Sequence, residues 1–466
     1  MKSVFTLLMF VSTLSAQAAD SLTTKVSSQY SSIRALGMGN AFTAVADDYS
    51  LIFYNPAGFA KKKNNEVQIT FAGAGFSPKT TALMTDIENA EKNTAGSDND
   101  KAIAISNILE EYYGKSLGGK VQALEMFWVR KGWGIALIPL DLDIDMTFNR
   151  QLGPAIDLNV KGDTTVAFGY GTEWNQYVSV GATAKLTHRV AVDQTVAALE
   201  LASDSNILST KRFKEGNNID FDLGALWTPA WFGTEDVVET QKPEERKPQA
   251  EETKPTAAAP AVVSPTAPVV APTAETDEKS TTPETAPETA VTAEKPALEI
   301  NNDVKTETAK PVVVETKIVK RDRLPLTLGV VLKNVLGGSF SKSTLVNKDA
   351  VEAPKNIPRV IDIGAAYKIA NYGDLEIRGM LDARNLLHPN ANTTNTLHAG
   401  IEFDYSPSGW FKSQIRAGMN QMYYTAGATL LLGVINIDFA TYGEEMGTAS
   451  NKIENRVYAA KVGMNF

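Results

Sequence analysis

Apolar and polar residues alternate along most of this chain, most clearly in its second half. Leu375, Ile377 and Leu381 fall on one face of a segment near residue 380, and Glu376 and Arg378 fall on the other. A period of two is typical of a strand with one apolar and one polar face. The pattern predicts strands at 67–71, 122–130, 133–148, 164–171, 178–187, 219–227, 324–336, 358–370, 373–387, 396–406, 411–420, 424–432, 434–442 and 456–466.

The connections between these segments are alternately short and long. Long connections such as 77–119 and 337–357 fall on one side of the predicted sheet, and 102–112 within the first has helical spacing. The other side carries the tight turns, at 131–132, 172–175, 371–372, 407–409 and 433. An even strand number with short periplasmic turns is typical of outer-membrane barrels. The sequence therefore predicts an all-β fold, an antiparallel transmembrane β-barrel of about 14 strands.

A soluble β-sandwich also alternates and is the competing interpretation. The barrel is favoured because the last strand ends in a C-terminal Phe466, which resembles the closing strand of outer-membrane barrels. Pro139 separates odd from even apolar positions in the third strand and predicts a bulge there. The tryptophans fall near the predicted periplasmic turns and predict an aromatic girdle at one interface; they are Trp128, Trp133, Trp174, Trp227, Trp231 and Trp410.

The stretch 33–60 interrupts the alternation before the first strand. Gly37 and Gly39 allow a tight backbone turn, and a run of small residues follows them. Asp47 or Asp48 is placed to cap a short helix that begins near Tyr49. The segment is therefore expected to be compact, with its helix begun by local chemistry.

The same stretch ends in the sequence Asn55-Pro56-Ala57-Gly58. A residue before proline favours an extended conformation, and Gly58 can adopt a positive φ, so the helix is expected to stop here. A compact segment upstream of the first strand fits inside the mouth of a barrel. We expect residues 19–65 to form a plug, or hatch, in the lumen.

Apolar side chains of the predicted hatch are candidates for a ligand pocket. They are Phe42, Tyr49, Ile52, Phe53, Tyr54 and Phe59. The alternative is that they only pack the hatch against the barrel wall, and the sequence leaves both interpretations open.

The remaining segments divide the chain around two halves of a barrel, 66–230 and 324–466. Residues 1–18 have the positive, apolar and small-residue regions of a secretory signal peptide. Residues 231–323 are rich in Pro, Thr, Ala and Glu, a composition that cannot bury a core. We expect a disordered insertion there, on the periplasmic side because the short turns share that side.

The amino-acid composition excludes several kinds of site and partner. The chain has no cysteine, which excludes disulfides and thiolate sites, and its net charge of −9 argues against nucleic acid as a partner. The row Asp141, Asp143 and Asp145, with Asp220 and Asp222 nearby, is either a cation site or the polar inner wall of a barrel.

An enzymatic function is not expected. The three histidines, His188, His388 and His398, have no ligand spacing, and no nucleophile motif or phosphate-binding loop is visible. We expect no catalytic residues, no metal and no cofactor.

Three short motifs of the N-terminal stretch resemble a known family. They are 35–39 (ALGMG), 46–48 (ADD) and 54–58 (YNPAG). They resemble the N-terminal region of the FadL family of outer-membrane long-chain fatty acid transporters and of the related PorV-type barrels. The resemblance implies a 14-stranded barrel whose N-terminal hatch carries Asn55, Pro56 and Ala57, with hydrophobic ligands that bind beside the hatch and leave sideways into the membrane.

Two functions follow as expectations from this resemblance. The first is uptake of hydrophobic small molecules, such as long-chain fatty acids, across a bacterial outer membrane. The second is a PorV-like structural or secretion accessory barrel that binds a protein partner in the periplasm or in a secretion system. In both cases outer-membrane lipid surrounds the protein. The long insertion at 231–323 departs from the family pattern.

Overall fold

The computed structural model describes residues 25–26, 29–149, 155–197, 212–229, 235–240, 316–321, 326–350, 352–447 and 451–466. The predicted signal peptide at 1–18, Trp231 and most of the predicted 231–323 insertion lie outside the described residues. The strands Glu235–Thr240 and Thr316–Arg321 pair with each other in a separate two-stranded sheet.

Fourteen antiparallel strands form a closed barrel, which confirms the predicted fold class. Each strand pairs with its neighbours in sequence, and β1 pairs with β14 to close the wall. The strands are β1 (Glu66–Phe76), β2 (Ser116–Arg130), β3 (Trp133–Asn149), β4 (Ala155–Glu173), β5 (Val178–Ala197), β6 (Lys214–Trp227), β7 (Leu326–Lys333), β8 (Val360–Asn371), β9 (Leu375–Ala383), β10 (Leu397–Ser408), β11 (Phe411–Asn420), β12 (Tyr423–Leu432), β13 (Ile435–Glu445) and β14 (Glu454–Asn465).

The exterior of the barrel is apolar. On β4, Val166, Phe168 and Tyr170 are exposed, whereas the alternate residues Thr165 and Ala167 are buried in the interior. A closed barrel with an even number of strands and an apolar exterior is the architecture of bacterial outer-membrane proteins, which confirms the predicted location. None of the helices in the described ranges is long and apolar enough to cross a membrane.

The two ends of the barrel differ. The terminal end carries the start of β1, the end of β14 and the short turns, as predicted. The described tryptophans lie near this end of their strands or in its turns; they are Trp128, Trp133, Trp174, Trp227 and Trp410. The opposite end, which we call the loop end, carries most of the long connections.

At the loop end, two helices cover part of the wall. They are α4 (Pro78–Asn93) and α5 (Asp98–Glu110), where the sequence predicted a single helix over 102–112. Ile105 and Leu109 of α5 pack on Phe148 and Ile156, on parts of β3 and β4 that extend beyond the roughly 9–11 residues of a bilayer crossing. The sequence missed α4 because Leu83 is its only buried residue.

The wall is interrupted next to Pro139. Residues 124–125 of β2 and 138–139 of β3 have no partners in the β2–β3 ladder, and the register of β3 on β4 shifts at the same place. Pro139 has no N–H for the ladder, and Leu124 adopts a φ of 57°. The predicted bulge is confirmed. We call these four residues the wall break.

The N-terminal segment, residues 29–65, lies inside the barrel. Its short helices are α1 (Ile33–Gly37), α2 (Leu51–Tyr54) and α3 (Gly58–Lys61). Almost all of its residues between 30 and 60 are buried, and they contact strands from several parts of the wall. A further short helix, α6 (Thr393–Thr396), lies in the connection from β9 to β10.

Candidate functional site: the segment in the barrel lumen

The main chain of the N-terminal segment lies directly on the wall where the wall has glycine. A Cβ on Gly427 would lie 2.9 Å from the Cα of Gly37, and a Cβ on Gly329 would lie 2.6 Å from the carbonyl oxygen of Thr43. Such distances leave no room for a side chain. Glycines of β7 and β12 therefore allow the segment to fill the lumen as a plug.

Asn55 connects two parts of the segment with the wall. Its side-chain nitrogen donates to the carbonyl oxygens of Thr43 (2.9 Å) and of Ala225 in β6 (3.2 Å). Its side-chain oxygen accepts from the backbone N–H of Ala57 (3.1 Å). Asn55 is fully buried and extended before Pro56, as predicted. Its three bonds explain why an amide side chain is needed at this position.

The structure confirms the predicted turn at Gly39, whereas the positive φ predicted for Gly58 and the aspartate cap predicted for α2 are wrong. Gly39 has a φ of 72°, in keeping with the predicted turn. Gly58 instead begins α3 in the helical region, and what excludes a side chain there is the carbonyl oxygen of Ala46, 2.2 Å from where a Cβ would lie. Ser50 occupies the N-cap position of α2, and Asp48 accepts bonds from the N–H and hydroxyl of Ser50 (2.8 and 2.6 Å).

A buried group of charges attaches the segment to β10. Arg34 of α1 donates to both carboxylate oxygens of Glu402 at 2.9 and 2.7 Å. Arg378 and Arg416 of the wall also contact Glu402, at 2.8 and 2.9 Å. Glu402 and Arg416 are almost completely shielded from solvent. Three guanidinium groups thus converge on one carboxylate, and one of them belongs to the segment.

The two adjacent aspartates of the segment complete this group, which we call the Glu402 cluster. Arg34 contacts Asp47 at 2.7 Å and Asp48 at 2.9 Å, and Arg378 also donates to Asp47. Burial opposes the charge of Asp47, but Arg34 and Arg378 hold the pKa of that carboxyl well below its ordinary value. The cluster is therefore an ion-pair attachment between the segment and the wall.

A second attachment holds the turn after Gly39. One carboxylate oxygen of Asp382 in β9 accepts from the backbone N–H groups of Phe42 and Thr43, each at 2.8 Å. Arg384 donates to the carbonyl oxygen of Asn40 at 2.8 Å. The wall thus binds the main chain of the segment as well as its side chains.

The acidic row on β3 faces lysines. Lys25 contacts Asp143 at 3.3 Å and Asp145 at 2.8 Å, and Lys120 contacts Asp141 at 3.2 Å. A group of three or more potential metal ligands does not occur among the residues that the structure describes. The contacts fit the polar-wall interpretation of the row.

The six candidate pocket residues come together with wall residues in one apolar group. The rings of Tyr49 and Phe53 have centroids 4.8 and 6.2 Å from that of Phe127 in β2. In this conformation the six side chains are buried and pack on each other and on the wall. We call the group the lumen cluster; it contains Phe42, Tyr49, Ile52, Phe53, Tyr54 and Phe59, together with Tyr30, Phe127 and Ile138.

Cavities beside the segment are lined by charged residues. One of about 530 Å³ opens at the terminal end, where Lys61, Lys63 and Arg378 line it. Another of about 170 Å³ lies towards the loop end, where Asp141 and Arg189 line it. The apolar side chains of the segment are therefore sequestered in the lumen cluster, between two polar regions.

Sequence reasoning missed the partners that hold the segment. Arg34 lies inside the stretch that was singled out, but nothing in its neighbours indicates Glu402 as its partner. Glu402, Arg378 and Arg416 alternate with apolar or small residues of their strands, and this pattern by itself places them on the inner face. The available signal is an arginine inside an otherwise apolar stretch together with acidic residues on the inner faces of strands. These two features indicate an ion pair between the segment and the wall.

Three solved structures similar to this chain are two toluene transporters and a FadL homologue. The toluene transporter TbuX of Ralstonia pickettii matches at 9% sequence identity and a TM-score of 0.41, over 92% of this chain and 96% of that chain. A Pseudomonas aeruginosa FadL homologue matches at 8% and 0.39, over 93% and 97%. The toluene transporter TodX of Pseudomonas putida matches at 7% and 0.37, over 97% and 99%.

No family model matches the chain, and no curated protein matches its sequence. The strand assignments and the filled lumen rest on this chain's own hydrogen bonds and contacts. The predicted resemblance to the FadL type holds for the fold, since the chain forms a 14-stranded barrel with its N-terminal segment in the lumen.

Proposed function

We propose that this chain takes up hydrophobic small molecules across the outer membrane, past an N-terminal hatch formed by the segment in the lumen. The observation that carries the proposal is the position of the lumen cluster. Phe127 lies two residues from Glu125 of the wall break, and Ile138 is part of the break itself. An apolar site inside a polar lumen therefore adjoins the place where the wall lacks ladder hydrogen bonds.

The outer side of the wall break supports a sideways route. Leu124 and Leu140 are exposed on the barrel exterior beside the break, at 60% and 41% of their surface. A hydrophobic molecule that left the lumen cluster here would pass from one apolar surface to another. A hydrophobic ligand that crossed the charged cavities instead would lie against polar groups. That path is unfavourable, because the ligand would gain no apolar contacts there and the polar groups would lose hydration.

The attachments of the segment support a closed resting state. The Glu402 cluster and the bonds of Asn55 hold the segment across the lumen, so entry of a ligand into the lumen cluster requires the hatch to rearrange. The chemistry is binding and release, with no covalent step. Long-chain fatty acids are the ligand class that the N-terminal motifs imply, and their acyl chains suit an aromatic and aliphatic site.

Uptake by proteoliposomes tests the proposal. We expect vesicles that contain the purified barrel to take up a fluorescent fatty acid, and Phe127→Ser to lower the rate. Phe148→Ser is the matched control, because Phe148 lies in the loop-end cluster with α4 and α5, away from the lumen. Equal rates for wild type, both variants and empty vesicles would refute uptake.

The accessory-barrel function has one observation in its favour. The 530 Å³ cavity at the terminal end is wide, charged and accessible, and it would accept polar groups of a protein partner better than a hydrocarbon. Copurification of a periplasmic or secretion protein, abolished by Lys61→Glu and Lys63→Glu together, would favour this function. Retention of lipid by the same preparation, without a protein, would favour uptake.

A further inference from the structure

Beyond uptake, we propose that the loop 343–348 is an anchor that inserts into the lipid leaflet at the loop end of the barrel. Leu345 and Val346 are its tip, and their side chains are 80% and 69% exposed. Contiguous exposed apolar surface marks sites of contact with protein or membrane. The occupant we assign to this surface is phosphorylated membrane lipid.

The loop is held rigidly by one buried carboxylate. Glu215 at the start of β6 accepts from the backbone N–H groups of Leu345 (2.6 Å), Val346 (3.0 Å) and Asn347 (2.7 Å). Its carboxylate also accepts from the hydroxyl of Ser343 at 3.0 Å. The exposed tip is therefore the consequence of a defined backbone conformation, since the N–H groups of Leu345 and Val346 turn towards Glu215 while their side chains turn outward.

The loop lies on the outer face of the barrel. Ile219 and Leu223 of β6 are exposed on the exterior, and Asp220 between them is buried in the interior. β6 pairs with β5 without a register shift, so Glu215 shares the outer face with Ile219. Glu215 is nevertheless completely buried, because the loop folds over it from outside.

The level of the loop matches the border of the hydrocarbon layer. The short strand Ser341–Lys342 that leads into the loop pairs with Gly216 and Asn217 of β6. Trp227 of the terminal-end girdle and Asn217 are separated by roughly 10 residues, and a transmembrane strand needs about 9–11. The tip therefore continues the lipid-facing band of β6 at its upper edge, where Lys348 is exposed beside it and would meet lipid phosphates.

Site-specific fluorescence tests the anchor, and the absence of native cysteine makes the labelling selective. A Val346→Cys variant with an environment-sensitive dye is placed in vesicles of phosphatidylethanolamine and phosphatidylglycerol. We expect a nitroxide on the lipid acyl chains to quench the dye, and aqueous iodide to quench it little. Ile219→Cys on the lipid-facing strand is the positive control, and Asn99→Cys on exposed α5 is the negative control.

Two results would overturn the proposal. Strong quenching by iodide, as at residue 99, would place the tip in water, and protection from both quenchers would mean that protein covers it. The phosphate contact is tested by Lys348→Glu in the labelled chain, which should reduce quenching by the lipid nitroxide. Unchanged quenching would exclude the phosphate contact. Neither readout depends on uptake, so the anchor and the proposed function fail separately.

Discussion

Replacing Arg34 by methionine should release the N-terminal segment while the barrel stays closed. Methionine keeps most of the apolar volume of the side chain and removes its charge. Glu402 keeps Arg378 and Arg416 as partners, so the substitution leaves no isolated charge in the wall. The ladder hydrogen bonds of the strands do not involve Arg34.

The contacts of Arg34 set the size of the effect. It donates two bonds to Glu402 and contacts Asp47 and Asp48, with less than a tenth of its surface exposed. Breaking a buried ion pair costs about 3–5 kcal/mol, and the lower end applies because Glu402 and Asp47 keep Arg378 as a partner and Asp48 keeps its bonds from Ser50. A loss of about 3 kcal/mol raises the population of the released segment on the order of a hundredfold.

Planar-bilayer recordings measure this population as the frequency of channel openings. Lys368→Met is the matched control, because Lys368 pairs with Glu376 of the wall at 2.8 Å, is half-exposed and does not reach the segment. We expect frequent openings for the Arg34 variant and none beyond wild type for the control. Equal opening frequencies in both variants, with heat-modifiable migration preserved, would refute the attachment.

Other perturbations address the same segment and the insertion. Asn55→Ala removes three hydrogen bonds that hold the segment, at about 1 kcal/mol or more each, and should raise the frequency of channel openings while heat-modifiable migration persists. Gly427→Val should expose the segment to protease because its Cβ would lie 2.9 Å from Gly37, whereas Gly409→Val, with open space around it, should not. The depressed pKa of Asp47 means that its ion pairs stabilise the segment above about pH 4 and lose strength as pH falls further, so channel openings should rise only below that pH. Protease added to intact cells should spare the 231–323 tract if it is periplasmic; cleavage there without permeabilisation would place it outside.

Most of the fold could be predicted from the period-two alternation of apolar and polar residues. It located all fourteen barrel strands and the short turns, because a strand that separates lipid from a polar lumen must alternate. The alternation did not predict the ends of strands that extend beyond the bilayer. β4 and β5 begin or end well beyond their predicted bounds, since their loop-end parts lie outside the bilayer and α4 and α5 cover part of that surface.

The candidate site was predictable as a set of residues and unpredictable as a set of contacts. The extended conformation of Asn55 and the turn at Gly39 could be predicted from the local sequence, because neighbouring residues determine both. The partner of Arg34 lies on β10, and the residue that Gly37 meets lies on β12. Contacts across so many residues depend on how the barrel closes, which local sequence does not encode.

The direct test of the uptake route is to locate a bound ligand in the barrel. A photoactivatable long-chain fatty acid is crosslinked to the reconstituted protein, and its adducts are mapped by peptide mass spectrometry. We expect adducts on the lumen cluster next to the wall break, at Phe127, Ile138 and Tyr49. Adducts confined to exterior residues such as Ile219, as expected for ordinary lipid, would contradict the account.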